Sequence, residues 1–382
     1  MHQGTTSDQR LSYNLNAAYA KSGGYYRNND SNGHNLHFDV TYKLNEEDSL
    51  NLSYSHIYNR EGIILANNRT KNPAAEYLGY DSAYPITPNA QNWGDGYRQW
   101  KTDNIALQYT TPTTSLGLFD YRQTRHDEVR RVIKPGGKLR LLGWAPYWDA
   151  RLRNYGLNVK QTARAGAHTL RYGLQYGKMV YEIRTEDSRY ELPSTGVFVE
   201  DDWALTDRTT LGLSLRYDHN KFEAASGALR NKTYAQLSPS VKITQRINDR
   251  QTIHLGAHRL FRSPTVADYS RWGTGYIDST NDYKNAFAPG LTHEEWQALL
   301  GMPTPETGMS YELGWRGKVG DKTAVSVTGF YYDINNFLNI SFGPNGNLRP
   351  PLIYNINNVK VKGVEFTGEH RFNRHWAMSL GY

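Results

Sequence analysis

Residues 196–220 read GVFVEDDWALTDRTTLGLSLRYDHN, and apolar side chains occupy alternate positions in two runs of this segment. The first run holds Val197, Val199, Trp203 and Leu205, and the second holds Leu211, Leu213, Leu215 and Tyr217. A period of two is that of a β-strand, whose successive side chains point to opposite faces of a sheet. The polar residues 206–209 between the runs are few enough to fold the second strand back antiparallel on the first. The segment predicts a hairpin with one apolar face, which could meet either a protein core or lipid.

The same alternation recurs along the chain and predicts about fifteen strands in all. Beyond the hairpin, the candidates are residues 11–19, 36–44, 50–58, 105–109, 116–123, 155–159, 170–176, 237–243, 253–257, 311–315, 325–331, 359–372 and 376–382. In the segment 359–372 the apolar phase moves between Val361 and Val364, which predicts a β-bulge at Lys362–Gly363. Asp201 interrupts an apolar column, where a charge facing mid-bilayer would be costly, so we expect it near a membrane interface.

The connections between these strands alternate in length. Short polar turns are predicted at 45–48, 111–115, 161–167, 206–209, 248–251, 319–322 and 373–374, and long segments at 59–99, 125–148, 262–305 and 336–354. A meander with short turns at one end and long loops at the other is typical of an outer-membrane barrel, whereas soluble sandwiches use Greek-key crossings. Tyrosines at the predicted long-loop ends and tryptophans near the short turns suggest two aromatic girdles; they are Tyr19, Tyr58, Tyr217, Tyr331, Trp203 and Trp376.

Composition narrows the class of protein. The mean hydropathy is −0.73, and no run reaches the roughly 18 apolar residues that a membrane helix needs. The 29 tyrosines against 11 phenylalanines suit a membrane interface, since tyrosine has an apolar ring and a polar hydroxyl. The net charge of +7 is spread over the chain, which does not indicate a nucleic-acid partner. No secretory signal follows Met1, so we expect either a processed chain or a fragment.

Six short segments resemble the barrel of TonB-dependent outer-membrane receptors, in the order that the family shows. They are GVFVEDDW at 196–203, LRYD at 215–218, LSPSV at 237–241, FRSPT at 261–265, PET at 305–307 followed by YELG at 311–314, and NV at 358–359 leading to GVE at 363–365. The resemblance implies an all-β, up-and-down antiparallel transmembrane barrel in the outer membrane of a Gram-negative bacterium.

The family also has a plug domain and a TonB-engaging segment, and neither is found before Leu11. Receptors of this kind have about 22 strands around a plugged lumen. Residues 1–382 are therefore expected to be a partial barrel, lacking the plug and the last strands, and to depend on the TonB system through the missing N-terminal region. The alternative is a complete passive porin of about sixteen strands, which one missed strand would allow.

No residue spacing indicates catalysis, a metal centre or a cofactor, so the chain is not expected to be an enzyme. One predicted loop combines cations with aromatic rings, namely Arg130, Arg131, Lys134, Lys138 and Arg140 with Trp144, Tyr147 and Trp148. These residues could hold an anionic ferric siderophore through charge and ring contacts. They could equally bridge lipopolysaccharide phosphates or be solvated.

The segment 262–305 predicts a short helix, with Thr292 as N-cap, Glu295 completing a capping box and Gly301 as terminator. His293 stands at the first helical position. In haem-uptake members of the family, a loop histidine follows the Phe-Arg-x-Pro segment, so His293 is a candidate haem ligand, against the alternative of a helix-start histidine without a ligand. The function expected is a receptor for a ferric siderophore or similar scarce nutrient, with haem or cobalamin uptake, a porin, or an adhesin or phage-binding barrel as alternatives.

Overall fold

The computed structural model describes residues 1–64, 82–85, 96–133, 140–224, 231–276, 282–341 and 352–382. Within these ranges the strands are β1 His2–Thr5, β2 Leu11–Ser22, β3 Ser31–Lys43, β4 Ser49–Gly62, β5 Gly96–Thr110, β6 Thr114–Ile133, β7 Arg140–Ala165, β8 His168–Ile183, β9 Ser188–Thr206, β10 Thr209–Ala224, β11 Lys232–Asn248, β12 Gln251–Arg262, β13 Glu306–Val319, β14 Thr323–Ser341, β15 Leu352–Arg371 and β16 Ala377–Gly381. The helices are α1 Val266–Tyr276, α2 Asp282–Phe287 and α3 His293–Leu300, with a 3-10 turn at Arg184–Glu186.

All sixteen strands belong to one sheet, in which each strand is hydrogen-bonded to its neighbours in the chain. The residue pairs of β2 with β3, β10 with β11 and β13 with β14 are antiparallel. The all-β antiparallel meander is thus confirmed. The strand beyond the predicted fifteen is β1, a four-residue segment without an apolar alternation that could have revealed it.

Connection lengths follow the predicted sorting. Tight turns join strands at 166–167, 207–208 and 249–250, and the opposite ends of the strands carry the long segments, of which 263–305 is one. We call these the turn end and the loop end. In the hairpin of β9 and β10, the Thr206 hydroxyl accepts hydrogen bonds from the backbone N–H groups of Arg208 and Thr209 at 3.1 and 3.0 Å. Not every connection at the loop end is long, because β8 and β9 are joined there by only the 3-10 turn and Asp187.

The chain divides into two compact units. Unit 1 includes Met1–Asn158 and Gly177–Glu191, and unit 2 includes Val159–Tyr176, Leu192–Glu223 and the described part of Gly227–Tyr382. In unit 1, the row Val40, Leu52, Leu107 and Leu118 runs across β3 to β6 on one face. On the opposite face, the Asn51 amide donates to Asp39 Oδ1 at 3.1 Å and to the Thr41 hydroxyl at 2.9 Å. Period-two patterning therefore gives unit 1 an apolar face and a polar face.

Unit 2 shows the same division. The row Leu213, Val241, Ala257 and Tyr311 crosses β10 to β13, and its larger members are exposed by 39–46%. The next row, Ser214, Ser240, His258 and Ser310, lies on the other face, where the Ser214 and Ser240 hydroxyls are 3.0 Å apart. A wide, exposed apolar face on an antiparallel sheet is what a lipid-facing surface requires.

The predicted bulge at Lys362–Gly363 is wrong. β14 and β15 keep one register from the pair Thr323 and His370 to the pair Ser341 and Leu352. The phase change is real, but it places Val361 and Val364 on opposite faces of a regular strand. Gly363 is there because the Phe330 ring covers it: a Cβ at this position would lie 2.7 Å from Phe330 Cζ. A register shift does occur between β11 and β12, at Arg246 to Asn248, beside a tight turn.

Much of the predicted loop 125–148 is strand, which is a second correction. β6 is 20 residues long and β7 is 26 residues long, whereas a strand crosses a bilayer in about 9–11 residues. Such strands continue well beyond a membrane, where water hydrates both faces and charged residues are compatible with pairing. Tyr217 and Tyr331 likewise lie inside β10 and β14 rather than at their ends.

Candidate functional site

The loop end of unit 2 carries the segment 263–305, and Arg262 connects this segment to the sheet. The guanidinium Nη1 of Arg262, the last residue of β12, is 2.6 Å from Glu306 Oε1 at the start of β13, and its Nη2 is 3.6 Å from Asp268 Oδ2 in α1. Glu306 Oε1 also accepts the backbone N–H of Leu338 at 2.8 Å. The two carboxylate residues are buried and Arg262 is half-exposed, so one cation at the surface joins a helix and two strands through two buried carboxylates.

The start of α1 is fixed by a reciprocal cap. Asp268 Oδ2 accepts hydrogen bonds from the backbone N–H and the hydroxyl of Thr265 at 2.8 and 2.9 Å, and the Thr265 hydroxyl accepts the Asp268 N–H at 3.3 Å. This arrangement satisfies donors that a helix start leaves without partners. The segment FRSPT therefore ends a strand, supplies the bridging cation and begins a helix within five residues.

Helix α1 packs against the polar face of the sheet. The Tyr269 ring stacks on Phe222 with 3.7 Å between centroids, and both residues are fully buried. By strand alternation, Phe222 lies on the same polar face as Ser214, where an aromatic side chain does not fit the pattern of its strand. The contact with α1 accounts for it, because the helix covers this ring. Nearby, the Tyr234 hydroxyl donates to the Pro303 carbonyl at 2.8 Å, and burial raises the pKa of Tyr269. The described parts of the segment 263–305 consequently form a folded cover over part of the polar face.

A second apolar cluster supports α2 and α3. Trp296 and Leu352 are buried, and Phe287, Leu300 and Tyr354 pack against them. The Phe287 ring lies 6.2 Å from Trp296 and 6.3 Å from Tyr354. Because Leu352 and Tyr354 lie at the start of β15, this cluster attaches α2 and α3 to the sheet at a point separate from Arg262.

The predicted capping box of α3 is confirmed. The Thr292 hydroxyl accepts the Glu295 N–H at 3.2 Å, and Glu295 Oε2 accepts the Thr292 N–H at 2.8 Å. These bonds from Thr292 hold the pKa of Glu295 below its usual value. His293 opens the helix as predicted, and its Nε2 lies 3.1 Å from the Gln297 amide nitrogen. An amide N–H donating to Nε2 leaves that nitrogen occupied, so a ligand that coordinates His293 through Nε2 would have to displace Gln297.

The loop end of unit 1 is rich in paired charges. Asp127 is completely buried, and Arg125 Nη2 and Arg98 Nε approach its Oδ2 at 2.6 and 3.2 Å. On the opposite face, the Tyr97 hydroxyl donates to Glu128 Oε2 at 2.7 Å while the Arg60 guanidinium lies 4.4 Å above the Tyr97 ring. These contacts link β4, β5 and β6 near the loop end of unit 1 and place a cation beside an aromatic ring.

The cationic and aromatic residues proposed as ligand contacts are placed as follows. Arg130 and Arg131 lie on β6, and Arg140, Trp144, Tyr147 and Trp148 lie on β7, so their assignment to a loop is wrong. The side chains of the first five, and Lys134 and Lys138 entirely, fall outside the described residues. Trp148 is half-buried. Their roles as ligand contacts stay predictions.

Within the described residues there is no group of three or more His, Asp or Glu side chains that could hold a metal ion, and no described helix combines the length and apolar character needed to cross a membrane. The Arg262 bridge was missed from the sequence, because its partner Glu306 is 44 residues away and no local pattern joins them. An aromatic residue at position 222, on the polar face of its strand, was the sequence signal that something covers this part of the sheet.

Comparison with known proteins gives one family over almost the whole chain. Residues 2–382 match the family described as TonB dependent receptor-like, beta-barrel. The probable TonB-dependent siderophore receptor PirA of Acinetobacter baumannii is 29% identical over 160 residues, covering 41% of this chain and 18% of that protein. The heme/hemopexin utilization protein C of Haemophilus influenzae is 23% identical over 272 residues, covering 59% of this chain and 35% of that protein.

Solved structures show the same fold at low sequence identity. FpvA of P. aeruginosa, solved bound to heterologous pyoverdines, superposes with a TM-score of 0.66 at 12% identity, covering 99% of this chain and 52% of that one. The chain thus spans about half of that structure, and less of the two sequence relatives.

Proposed function

Because the chain belongs to the TonB-dependent receptor β-barrel family, we propose that it forms the wall and outer loops of an outer-membrane receptor for a ferric siderophore. Barrels of this family are outer-membrane proteins of Gram-negative bacteria, and we place this chain there. Passage of the ligand would require a plug and energy from the TonB system.

The observation that carries the proposal is the folded cover at 263–305. A passive porin needs an open path, whereas a selective receptor needs structured loops that present fixed contacts. Two independent attachments, the Arg262 bridge and the Trp296 cluster, give the loop end of unit 2 such a structure. Sixteen strands are also what the porin alternative expected, but the family match favours the receptor.

The siderophore is favoured as ligand by chemistry and by one relative. The relative is the A. baumannii protein, whose name identifies a siderophore receptor. Cations beside aromatic rings suit an anionic ferric complex, and Arg130, Arg131 and Arg140 lie on the strands that lead to the loop end. The same cations could instead meet phosphates of lipopolysaccharide, which we propose as a lipid partner of the outer strand surface.

Growth under iron limitation tests the proposal. The gene is deleted and restored in the source bacterium, with a catecholate siderophore, a hydroxamate siderophore or haem as single iron source and cobalamin supply tested separately. We expect growth on one ferric siderophore to depend on the gene. Changing Arg130, Arg131 and Arg140 to Gln should weaken binding of that complex by about tenfold or more, while Arg208→Gln, at a tight turn, should not. Unchanged growth on every source would contradict the proposal.

Haem is the second candidate, favoured by His293 at the start of α3 and by the H. influenzae relative. Titrating haem into the purified protein and following its absorption band tests this. His293→Ala should abolish the spectral change, and Gln297→Ala should preserve or strengthen it, because it frees Nε2. A haem spectrum that His293→Ala leaves intact would exclude this ligand residue.

A further inference from the structure

The apolar face of unit 2 carries an ionisable pair near its turn end, His168 and Asp201. His168 Nδ1 is 2.7 Å from Asp201 Oδ2, and the imidazole stacks on the Trp203 ring at 5.2 Å and 22°. Asp201 shares its face with the exposed residues Val199 and Trp203, since all three alternate along β9. Asp202, next in the chain, points to the polar face, where Arg171 Nη1 is 2.7 Å from its Oδ2.

An ionisable residue facing lipid is costly, and where it persists it marks a functional site by default. The pair with His168 satisfies only one of the carboxylate oxygens: Asp201 Oδ1 is buried and has no hydrogen-bond partner among the described residues. A buried carboxylate oxygen without a donor is unfavourable. A fifth of the Asp201 side chain stays exposed, so a donor from the lipid side would meet the carboxylate at that edge, and a cationic donor would suit it most.

An apolar groove of about 460 Å³ adjoins the pair. Its lining includes Asp201 together with Val199, Leu213, Leu215, Val241, Ala257 and Met309. The depression is explained by the row that crosses it, because Ala257 is the small residue between Val241 and Tyr311. A carboxylate beside such a groove is complementary to a molecule with a cationic head and a hydrocarbon chain.

The position of Asp201 along β9 indicates which leaflet of the membrane the pair would face. Trp203 lies near the turn end of β9, where an interfacial aromatic residue is expected, and Asp201 is two residues deeper, about 7 Å along the strand. The short turns of outer-membrane barrels face the periplasm. The pair therefore lies just inside the periplasmic interface.

We propose that this site binds phosphatidylethanolamine of the periplasmic leaflet. The primary ammonium donates a hydrogen bond to Asp201, the phosphate lies beside the half-exposed His168, and one acyl chain occupies the groove. This inference rests on the outer-membrane placement proposed above. It assigns a structural lipid, not the transported nutrient.

Native mass spectrometry tests the assignment on the full chain, purified in mild detergent and exposed to equal amounts of three lipids with identical acyl chains. These are phosphatidylethanolamine, phosphatidylcholine, whose methylated amine cannot donate, and phosphatidylglycerol, which has no amine. We expect the protein to retain phosphatidylethanolamine about tenfold over each of the others, the effect of one charge-assisted hydrogen bond. This comparison needs no variant, so it does not depend on how a substitution folds.

Variants then locate the site. Asp201→Asn should remove the preference, and Asp202→Asn, its neighbour on the opposite face, should keep it. Ala257→Phe should fill the groove and lower retention of all three lipids. Equal retention of the three lipids by the unsubstituted protein, or an undiminished preference in Asp201→Asn, would overturn the site while leaving the receptor proposal standing. Retention of no lipid at all would contradict both.

Discussion

At the scale of single residues, Arg262 is the side chain on which the loop end of unit 2 depends. Arg262→Met should leave the buried carboxylates of Glu306 and Asp268 without their cation. Because Arg262 is itself 48% exposed, we expect a cost of about 2 kcal/mol, below that of a fully buried pair. Hydrogen exchange should show faster opening of α1. Arg250→Met, which breaks the exposed pair with Asp321, should cost less than about 1 kcal/mol; equal effects would show that burial of the Arg262 pair does not matter.

Leu213 and Ser214 are adjacent residues that test the two faces. Leu213→Arg places a charge on the apolar face, 43% exposed in the protein alone, and should cost about 2–4 kcal/mol near mid-bilayer. Ser214→Arg places the same charge on the polar face and should cost much less. Refolding into lipid vesicles at graded urea concentrations measures both. Similar stability losses in the two variants would argue against a lipid-facing row.

The face of the sheet on which each side chain lies could be predicted, because alternation is a local property of the sequence. Leu213, Leu215 and Tyr217 are exposed together on one face, as their spacing indicates. Long-range partnerships were not predictable, since the bond between Arg262 and Glu306 depends on where two distant strand ends meet. Asp201 was recognised as an irregularity, but its partner His168 follows from the pairing of β8 with β9.

At the scale of elements, the start of α3 should respond to pH. The pKa of Glu295 is lowered by its hydrogen bonds from Thr292. The ionised carboxylate therefore stabilises the helix start fully above the usual carboxyl pKa of about 4.3. This stabilisation is lost as the pH falls through the lowered pKa. We expect hydrogen exchange in α3 to quicken below about pH 4. Glu295→Gln should remove most of this dependence, whereas Glu294→Gln, outside the capping box, should retain it. A pH profile that Glu295→Gln does not alter would contradict this role.

The close contact with the Phe330 ring explains the glycine at position 363 without a bulge, and substitutions can test this explanation. A side chain at Gly363 meets the Phe330 ring at 2.7 Å, whereas at Gly329 the nearest atom is 4.0 Å away. Gly363→Val should therefore cost about 1–3 kcal/mol through displacement of the ring. Gly329→Val should be close to neutral. Urea titration of both variants gives the comparison, and a harmless Gly363→Val would mean that the ring moves freely.

Elements were predictable to the extent that their signals are local. The capping box at Thr292 and the turn after Thr206 were both recognised from adjacent residues. Strand lengths were not, because β6 and β7 extend well beyond 116–123 and 155–159, where the apolar alternation that identifies them ends. The glycine at 363 was misread for a related reason: its partner ring belongs to the neighbouring strand.

At the scale of the whole molecule, one alternating pattern recurs from β2 onward, and the described residues form a sheet of sixteen strands in chain order. Each strand adds an apolar and a polar row, and the long connections collect at one end. One such connection folds back over the polar face, where α1 covers Phe222. The class of fold was therefore predictable from the repeated pattern, while the cover over the polar face needed the three-dimensional contacts.

The chain contains no cysteine, so single introduced thiols can map both faces without background. Val241→Cys and Leu313→Cys, on the apolar face, should carry a fluorophore that brominated lipid quenches strongly. Ser240→Cys and Glu312→Cys, each one residue away on the polar face, should be quenched weakly and react instead with a charged, water-soluble maleimide. Each pair differs by only a few ångströms along the strand, so depth is matched and facing alone decides the result. Quenching that followed distance from the tight turns, with no alternation between neighbours, would mean that the sheet does not separate lipid from water.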